Sequence, residues 1–171
     1  MLPVEAPIGV VMRRTTPCQR VAALHCPFMG EHTVLGVDHV GIAVADLDEA
    51  IAWYAAKLGM VATHTETNEE QGVREAMLSA PGDEGAAIQL LAPLRPDSPI
   101  GKFLERNGPG IQQMAYRVVD IDATCDALRE QGVRLLYDEP RRGTAGSRIN
   151  FMHPKDAGGV LVELVEQGAD H

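Results

Sequence analysis

The chain repeats itself at an offset of 74 residues, and polar side chains recur at matched places in the two copies. The segment Val37-Asp38-His39-Val40-Gly41-Ile42-Ala43-Val44 aligns with Ile111-Gln112-Gln113-Met114-Ala115-Tyr116-Arg117-Val118, which sets His39 on Gln113. Further along, Gln89 in Ala87-Ile88-Gln89-Leu90-Leu91 falls on Glu163 in Leu161-Val162-Glu163-Leu164-Val165. A duplicated module is constrained to fold as two like halves about a pseudo-twofold axis. Four side chains able to bind a metal occupy two pairs of equivalent positions, so the repeat also points to a metal site shared between the halves.

Composition narrows the partners. A net charge of −9 argues against nucleic acid, because neutralising phosphates requires a basic face. Nothing in the chain approaches the roughly 20 consecutive apolar residues of a membrane span. Cys18, Cys26 and Cys125 are odd in number and irregular in spacing. No disulfide framework is implied, and a reducing, cytoplasmic setting is the simpler expectation. Residues 1–33 show neither helical nor strand periodicity and are expected to be a disordered extension, or to precede a true start at Met29. A targeting peptide would need a continuous apolar stretch and a small-residue cleavage site, which this segment lacks.

The remainder, about 34–166, reads as one domain of two modules, about 34–93 and 109–166, with a tail at 167–171. Each module runs strand, helix, then three strands. Val37–Val44 is the first strand. Asp46 caps a helix that Gly59 stops, and strands follow near Met60–Thr67, Val73–Ser79 and Ala86–Leu91. In the second module Ile111–Val118 is a strand, Asp120 caps a helix ended by Gly132, and strands are expected near Val133–Tyr137, Ser147–Met152 and Val160–Val165. A linker helix is expected about 98–108, with Pro99 in its first turn. Strand alternation turns Val40, Ile42 and Val44 toward the helix and His39, Gly41 and Ala43 toward the opposite, open face. Small residues beside a ligand leave room there for a substrate.

His39, Gln89, Gln113 and Glu163 together offer an imidazole, two amide oxygens and a carboxylate. That set suits a divalent ion of intermediate hardness and lacks the thiolates of a structural zinc site. Taken singly, a strand His or Gln is usually just solvated or hydrogen-bonded; the shared register is what raises all four. Glu163 lies inside an apolar run, where an unpaired carboxylate is costly. Glu75, next to Arg74, reads on its own as half of a surface ion pair. Arg141, Arg142, Arg148 and Lys155 flank the Gly143–Ser147 stretch, a basic loop that either closes over an anion or is a solvated hairpin. His64 and His153 have no counterpart in the repeat, and Cys125 falls on the apolar side of its helix.

The Asp38–Val44 start and the duplicated module resemble the vicinal oxygen chelate superfamily. Asn68–Glu75, Gln89–Pro93, Leu135–Pro140 and Arg148–Lys155 resemble the methylmalonyl-CoA epimerase family within it. The resemblance spans about residues 34–166. It implies an α+β fold of two tandem βαβββ modules forming a curved mixed sheet around a metal. The metal would be cobalt, with manganese or nickel as other possibilities, and the implied ligands are His39, Gln89, Gln113 and Glu163. The family has a second His where this chain has Gln113, a departure that should favour harder, octahedral ions over zinc. Glu75 takes the place of the family's second catalytic carboxylate, so the resemblance makes Glu75 and Glu163 the acid–base pair acting on an acyl-CoA substrate, methylmalonyl-CoA. It also implies a homodimer. A glyoxalase I acting on a glutathione hemithioacetal is the nearest rival, yet normally has an acid where Gln89 stands. An extradiol dioxygenase would lack its facial triad. A non-catalytic binding protein of the same fold is the alternative from another class.

Overall fold

The computed structural model describes residues 34–168, so the expectations for residues 1–33 and for the end of the tail lie outside the described residues. The element order is β1 (Val34–Ala43), α1 (Leu47–Leu58), β2 (Val61–Asn68), β3 (Val73–Ser79) and β4 (Ala87–Pro93). It continues through α2 (Pro99–Asn107), β5 (Gly110–Val118), α3 (Ile121–Glu130), β6 (Arg141–Arg142), β7 (Arg148–Met152) and β8 (Val162–Glu166). The strands join in one mixed sheet, β2-β3-β4-β1-β5-β8-β7-β6. Each half is βαβββ, and the antiparallel β1–β5 pair sits on the pseudo-twofold axis.

The caps follow from local chemistry. The Asp46 carboxylate accepts the Glu49 N–H at 2.9 Å, and the Asp120 carboxylate accepts the Ala123 N–H at the same distance. Ser98 does likewise for α2, where Pro99 occupies the first turn. Gly59 closes α1 at φ 68°, a left-handed conformation that costs a residue with a Cβ more than it costs glycine.

One expected strand is absent. Residues 133–137 make a single bridge, Leu135 to Met152, and the second strand of that module is β6, displaced to Arg141–Arg142. The segment keeps two backbone bonds to the β7 end, Leu136 N–H to the Phe151 carbonyl and His153 N–H to the Arg134 carbonyl, both at 2.8 Å. The pairing stops at Tyr137, where the Asn150 side chain accepts the N–H at 3.2 Å and donates to the carbonyl at 3.0 Å in place of a backbone partner.

Face sorting follows the strand period. Ile42 and Val44 pack with Leu47, Leu78 and Leu90 under α1, while Val118 and Leu164 pack with Ile121 and Cys125 under α3. On the concave side, Ala43 and Leu91 meet Ile100 of α2, and Ala115 meets Phe151 and Val165. Leu90 is fully buried in the first of these cores. Leu90→Ala is expected to cost about 2–5 kcal/mol, read as a lower urea midpoint with an unchanged slope.

Candidate active site and metal centre

The repeat is preserved as strand register. Gly41 sits opposite Gln89 across β1–β4, and 74 residues on Ala115 sits opposite Glu163 across β5–β8. Met77 faces Gln89 and Phe151 faces Glu163 in the same way. Two equivalent strands therefore deliver Gln89 and Glu163 to the concave face, flanking His39 and Gln113 on the axis strands. All four are buried.

The four side chains touch. His39 Nε2 lies 3.1 Å from Glu163 Oε2, the Gln113 amide nitrogen donates to that same oxygen, and it also lies 3.3 Å from Gln89 Oε1. Gly41 makes this possible in a way the sequence reading missed. A Cβ there would come within 2.5 Å of Gln113 Cγ, so the space that a small residue was expected to leave for substrate is filled by the Gln113 side chain.

Read by itself, Glu75 is expected to form a surface ion pair with Arg74, and that expectation fails. It is only 3% exposed, and Arg74, on the opposite face of β3, pairs with Asp48 at 2.8 Å instead. Glu75 Oε2 accepts from Gln89 Nε2 at 3.0 Å, and Oε1 accepts the Thr144 hydroxyl at 2.7 Å. Burial pushes this carboxyl up to about 7; the Thr144 hydrogen bond works against that rise, and the charges of Glu66 and Glu163 add to it. A carboxyl poised there can both take and return a proton near neutral pH. Its counterpart 74 residues on is Ile149, so the halves are not chemically equivalent. Glu75 and Glu163 stand at the two ends of a continuous run of contacts through the Gln89 and Gln113 amides.

Three further residues belong to the site. Asp38 Oδ1 is 2.9 Å from His39 Nδ1, which fixes the ring and leaves Nε2 directed at the cluster. Burial alone would lower the His39 pKa, but the hydrogen bonds and charges of Asp38 and Glu163 carry it up to about 9. Thr144 bridges Glu75 and Gln89, the latter donating to its oxygen at 3.0 Å. Gln112 is turned into the cavity by a bulge: the β1–β5 register passes from Gly41/Gln113 to Ile42/Ile111 and leaves it unpaired. Its Oε1 is buried with no hydrogen-bond partner. Asp38 could have been suspected from its place beside His39; nothing local in the sequence signals the other two.

The cavity over these groups holds about 180 Å³, with Glu75, Gln89, Gln113 and Glu163 at its polar end and Leu91, Ile100, Tyr137 and Phe151 among its apolar walls. The basic stretch divides. Arg148 pairs with Asp122 at 2.9 Å, whereas Arg141 lies over the Tyr137 ring at the cavity wall, 3.9 Å from its centroid.

The donor set fits a divalent cation. Three carboxylates, Asp38, Glu75 and Glu163, surround the cluster, and the imidazole presents one nitrogen to it. The Gln89 oxygen already faces inward, and a half-turn of the Gln113 amide would present its oxygen too. Among the described residues no three His, Cys, Asp or Glu side chains alone make such a group; the set here depends on its two amides, Gln89 and Gln113.

A curled sheet of two βαβββ modules with mixed nitrogen and oxygen donors at its axis defines a metal-chelate fold. The model described as the glyoxalase/bleomycin resistance protein/dioxygenase superfamily matches residues 38–151, and the chain belongs to that superfamily, whose members bind a divalent metal. The Mycobacterium tuberculosis methylmalonyl-CoA epimerase structure is 62% identical, with a TM-score of 0.77 over 82% of this chain and 93% of that one. A methylmalonyl-CoA epimerase in complex with methylmalonyl-CoA and ammonium is 51% identical, with a TM-score of 0.76 over 80% and 97%. The ethylmalonyl-CoA/methylmalonyl-CoA epimerase of Cereibacter sphaeroides is 42% identical over 75% of this chain and 95% of its own length. Within the superfamily, the chain is a member of the methylmalonyl-CoA epimerase family.

Proposed function

We propose that this chain interconverts the (2R) and (2S) epimers of methylmalonyl-CoA by removing the C2 proton on one face and returning one on the other. The observation that carries this is the pair of buried carboxylates, Glu75 and Glu163, at opposite ends of one hydrogen-bonded cluster beneath a mostly apolar cavity. Either carboxylate, when ionised, accepts the proton from C2, and the other, when protonated, donates to the planar carbon of the enolate. Thr144 and Gln89 hold both oxygens of Glu75, so its orientation is set before substrate arrives. The apolar walls exclude the water that would otherwise compete for the base. His39, Gln89, Gln113 and Glu163 would hold a divalent ion, cobalt by preference with manganese or nickel as substitutes, which would supply Lewis-acid neutralisation of the charge that develops on the thioester oxygen.

A glyoxalase-type lyase is disfavoured by the amide at position 89, and a pure binding module gives no reason for a buried Glu75 poised near neutrality. We take residues 34–166 as the catalytic domain. The homodimer reading draws support from apolar side chains left exposed on the central strands and their flanks, Val34, Leu35, Ile111 and Val119; light scattering at micromolar protein would test it. Among the described residues no helix is long and apolar enough to cross a membrane. Separately, the odd, irregularly spaced cysteines support a reducing, cytoplasmic setting.

The deciding experiment uses protein stripped of metal, reloaded with cobalt and incubated with one epimer in D₂O. Metal-dependent deuterium uptake at C2 with loss of chirality is expected. Uptake without epimerisation would reduce the site to one working base, and no uptake with any metal would overturn the reaction.

A further inference from the structure

The sheet curls far enough that its two edges meet over the cavity. β2 is one edge strand and β6 the other, and the turn that follows β6 reaches back across to β2 and β3. The turn is internally braced: Gly143 N–H donates to the Ser147 carbonyl at 2.9 Å, while the Ser147 N–H and hydroxyl both donate to the Thr144 carbonyl, at 3.1 and 2.8 Å. At its tip Ala145 adopts φ 53°, the one non-glycine residue of the described chain at positive φ. A side-chain-bearing residue keeps that conformation when surrounding contacts over-determine it. The contact in question is across the sheet edges, where the Ala145 N–H donates to Glu66 Oε2 at 3.1 Å.

Glu66 is neither a ligand candidate nor a member of the proton-transfer pair. It lies directly opposite Glu75 in the β2–β3 register, and its Oε2 is also held by His64 Nε2 at 2.7 Å. Anchoring one end of a braced turn fixes the rest, and the residue next to Ala145 is Thr144, whose hydroxyl sits on Glu75. A second, looser contact joins the same two edges, Arg141 to Glu70 at 3.6 Å.

We propose that Glu66 is a positioning residue. By accepting the Ala145 N–H it clasps the 143–147 turn of the second module to the edge strand of the first, and so holds the Thr144 hydroxyl on Glu75. This rests on the reaction proposed above only for its effect on turnover; the clasp itself is a property of the free protein. The left-handed Ala145 thus sits at the point of the clasp, where its N–H meets Glu66.

The test compares Glu66→Ala and Glu66→Gln with the unaltered protein, reading amide hydrogen exchange across 143–147 and, separately, kcat and KM for C2 epimerisation. Glu66 is on an edge strand and only part-buried, so both variants should fold, which far-UV circular dichroism checks. In Glu66→Ala the Ala145 amide should exchange about 3- to 10-fold faster, the worth of one lost hydrogen bond, and kcat should fall about 10-fold with KM little changed. Glu66→Gln keeps an acceptor oxygen and should restore most of both. Unchanged exchange in Glu66→Ala would overturn the clasp. Faster exchange with unchanged kcat would overturn its positioning role. Glu66→Gln behaving like Glu66→Ala would mean that the Glu66 charge, not its acceptor, acts on Glu75, and would overturn the proposal as well. Failure of the unaltered protein to epimerise would instead fall on the proposed reaction, and the exchange data would still decide the clasp.

Discussion

Glu75→Gln is expected to lower epimerase turnover by about 10² to 10⁴, the usual contribution of a positioned acid–base group, while leaving metal content and fold intact. The substitution is close to isosteric, and the surrounding donors tolerate it. A glutamine oxygen can still accept from Gln89 Nε2, and its amide nitrogen can donate to the Thr144 oxygen in place of the present hydroxyl-to-carboxylate bond. Only proton affinity is removed. Because Glu75 is buried, replacing an ionisable group by a neutral amide should also leave the melting temperature equal to or above that of the unaltered protein. Epimer ratio and C2 deuterium, followed together with metal analysis, make the check. One carboxylate remains in the variant, so one epimer should still wash deuterium into C2 slowly without inverting. Normal turnover would remove Glu75 from the mechanism.

Why the sequence reveals some of this and hides the rest can be traced to particular residues. The two modules are legible because a duplicated strand must present equivalent positions to equivalent neighbours. His39 and Gln113, or Gln89 and Glu163, are therefore related by one offset, and the register of β1–β4 and β5–β8 repeats it. Helix ends are legible because Asp46, Asp120 and Ser98 act on N–H groups three residues away. Glu75 is misread because adjacency suggests a pairing with Arg74 that a strand forbids: neighbouring side chains point to opposite faces, Arg74 out to Asp48 and Glu75 in. Val73, Glu75, Ala76 and Leu78 are all buried, which blurs the alternation that might have given it away.

Other features are non-local. Thr144 reaches Glu75 only because the sheet edges close on each other, a property of accumulated curl that no window of sequence contains. Gln112 faces the cavity through a bulge, and period-2 reasoning places it on the wrong side. The strand expected at 133–137 is cut short at Tyr137, where one side chain, Asn150, substitutes for a backbone partner. In each case the deciding contact lies outside the segment being read.

Glu163 presents the harder experiment, because it is both a ligand candidate and an acid–base candidate. Its Oε2 meets His39 Nε2 and the Gln113 amide together, so it is the shared point of the cluster. Glu163→Gln keeps the volume and a carbonyl oxygen but removes the charge that a divalent ion requires. Affinity for cobalt should fall more than the roughly 10- to 100-fold seen when only an outer partner of a ligand is removed, and turnover should fall by at least about 10³. Titration calorimetry with cobalt separates the two roles when set beside Glu75→Gln, which should bind metal as the unaltered protein does. Raising cobalt until Glu163→Gln is fully occupied then isolates the chemistry. Turnover still depressed at full occupancy would assign Glu163 the proton transfer as well as the metal. Turnover recovering in step with occupancy would make it a ligand alone, and the second base would have to be sought among the groups that share its cavity.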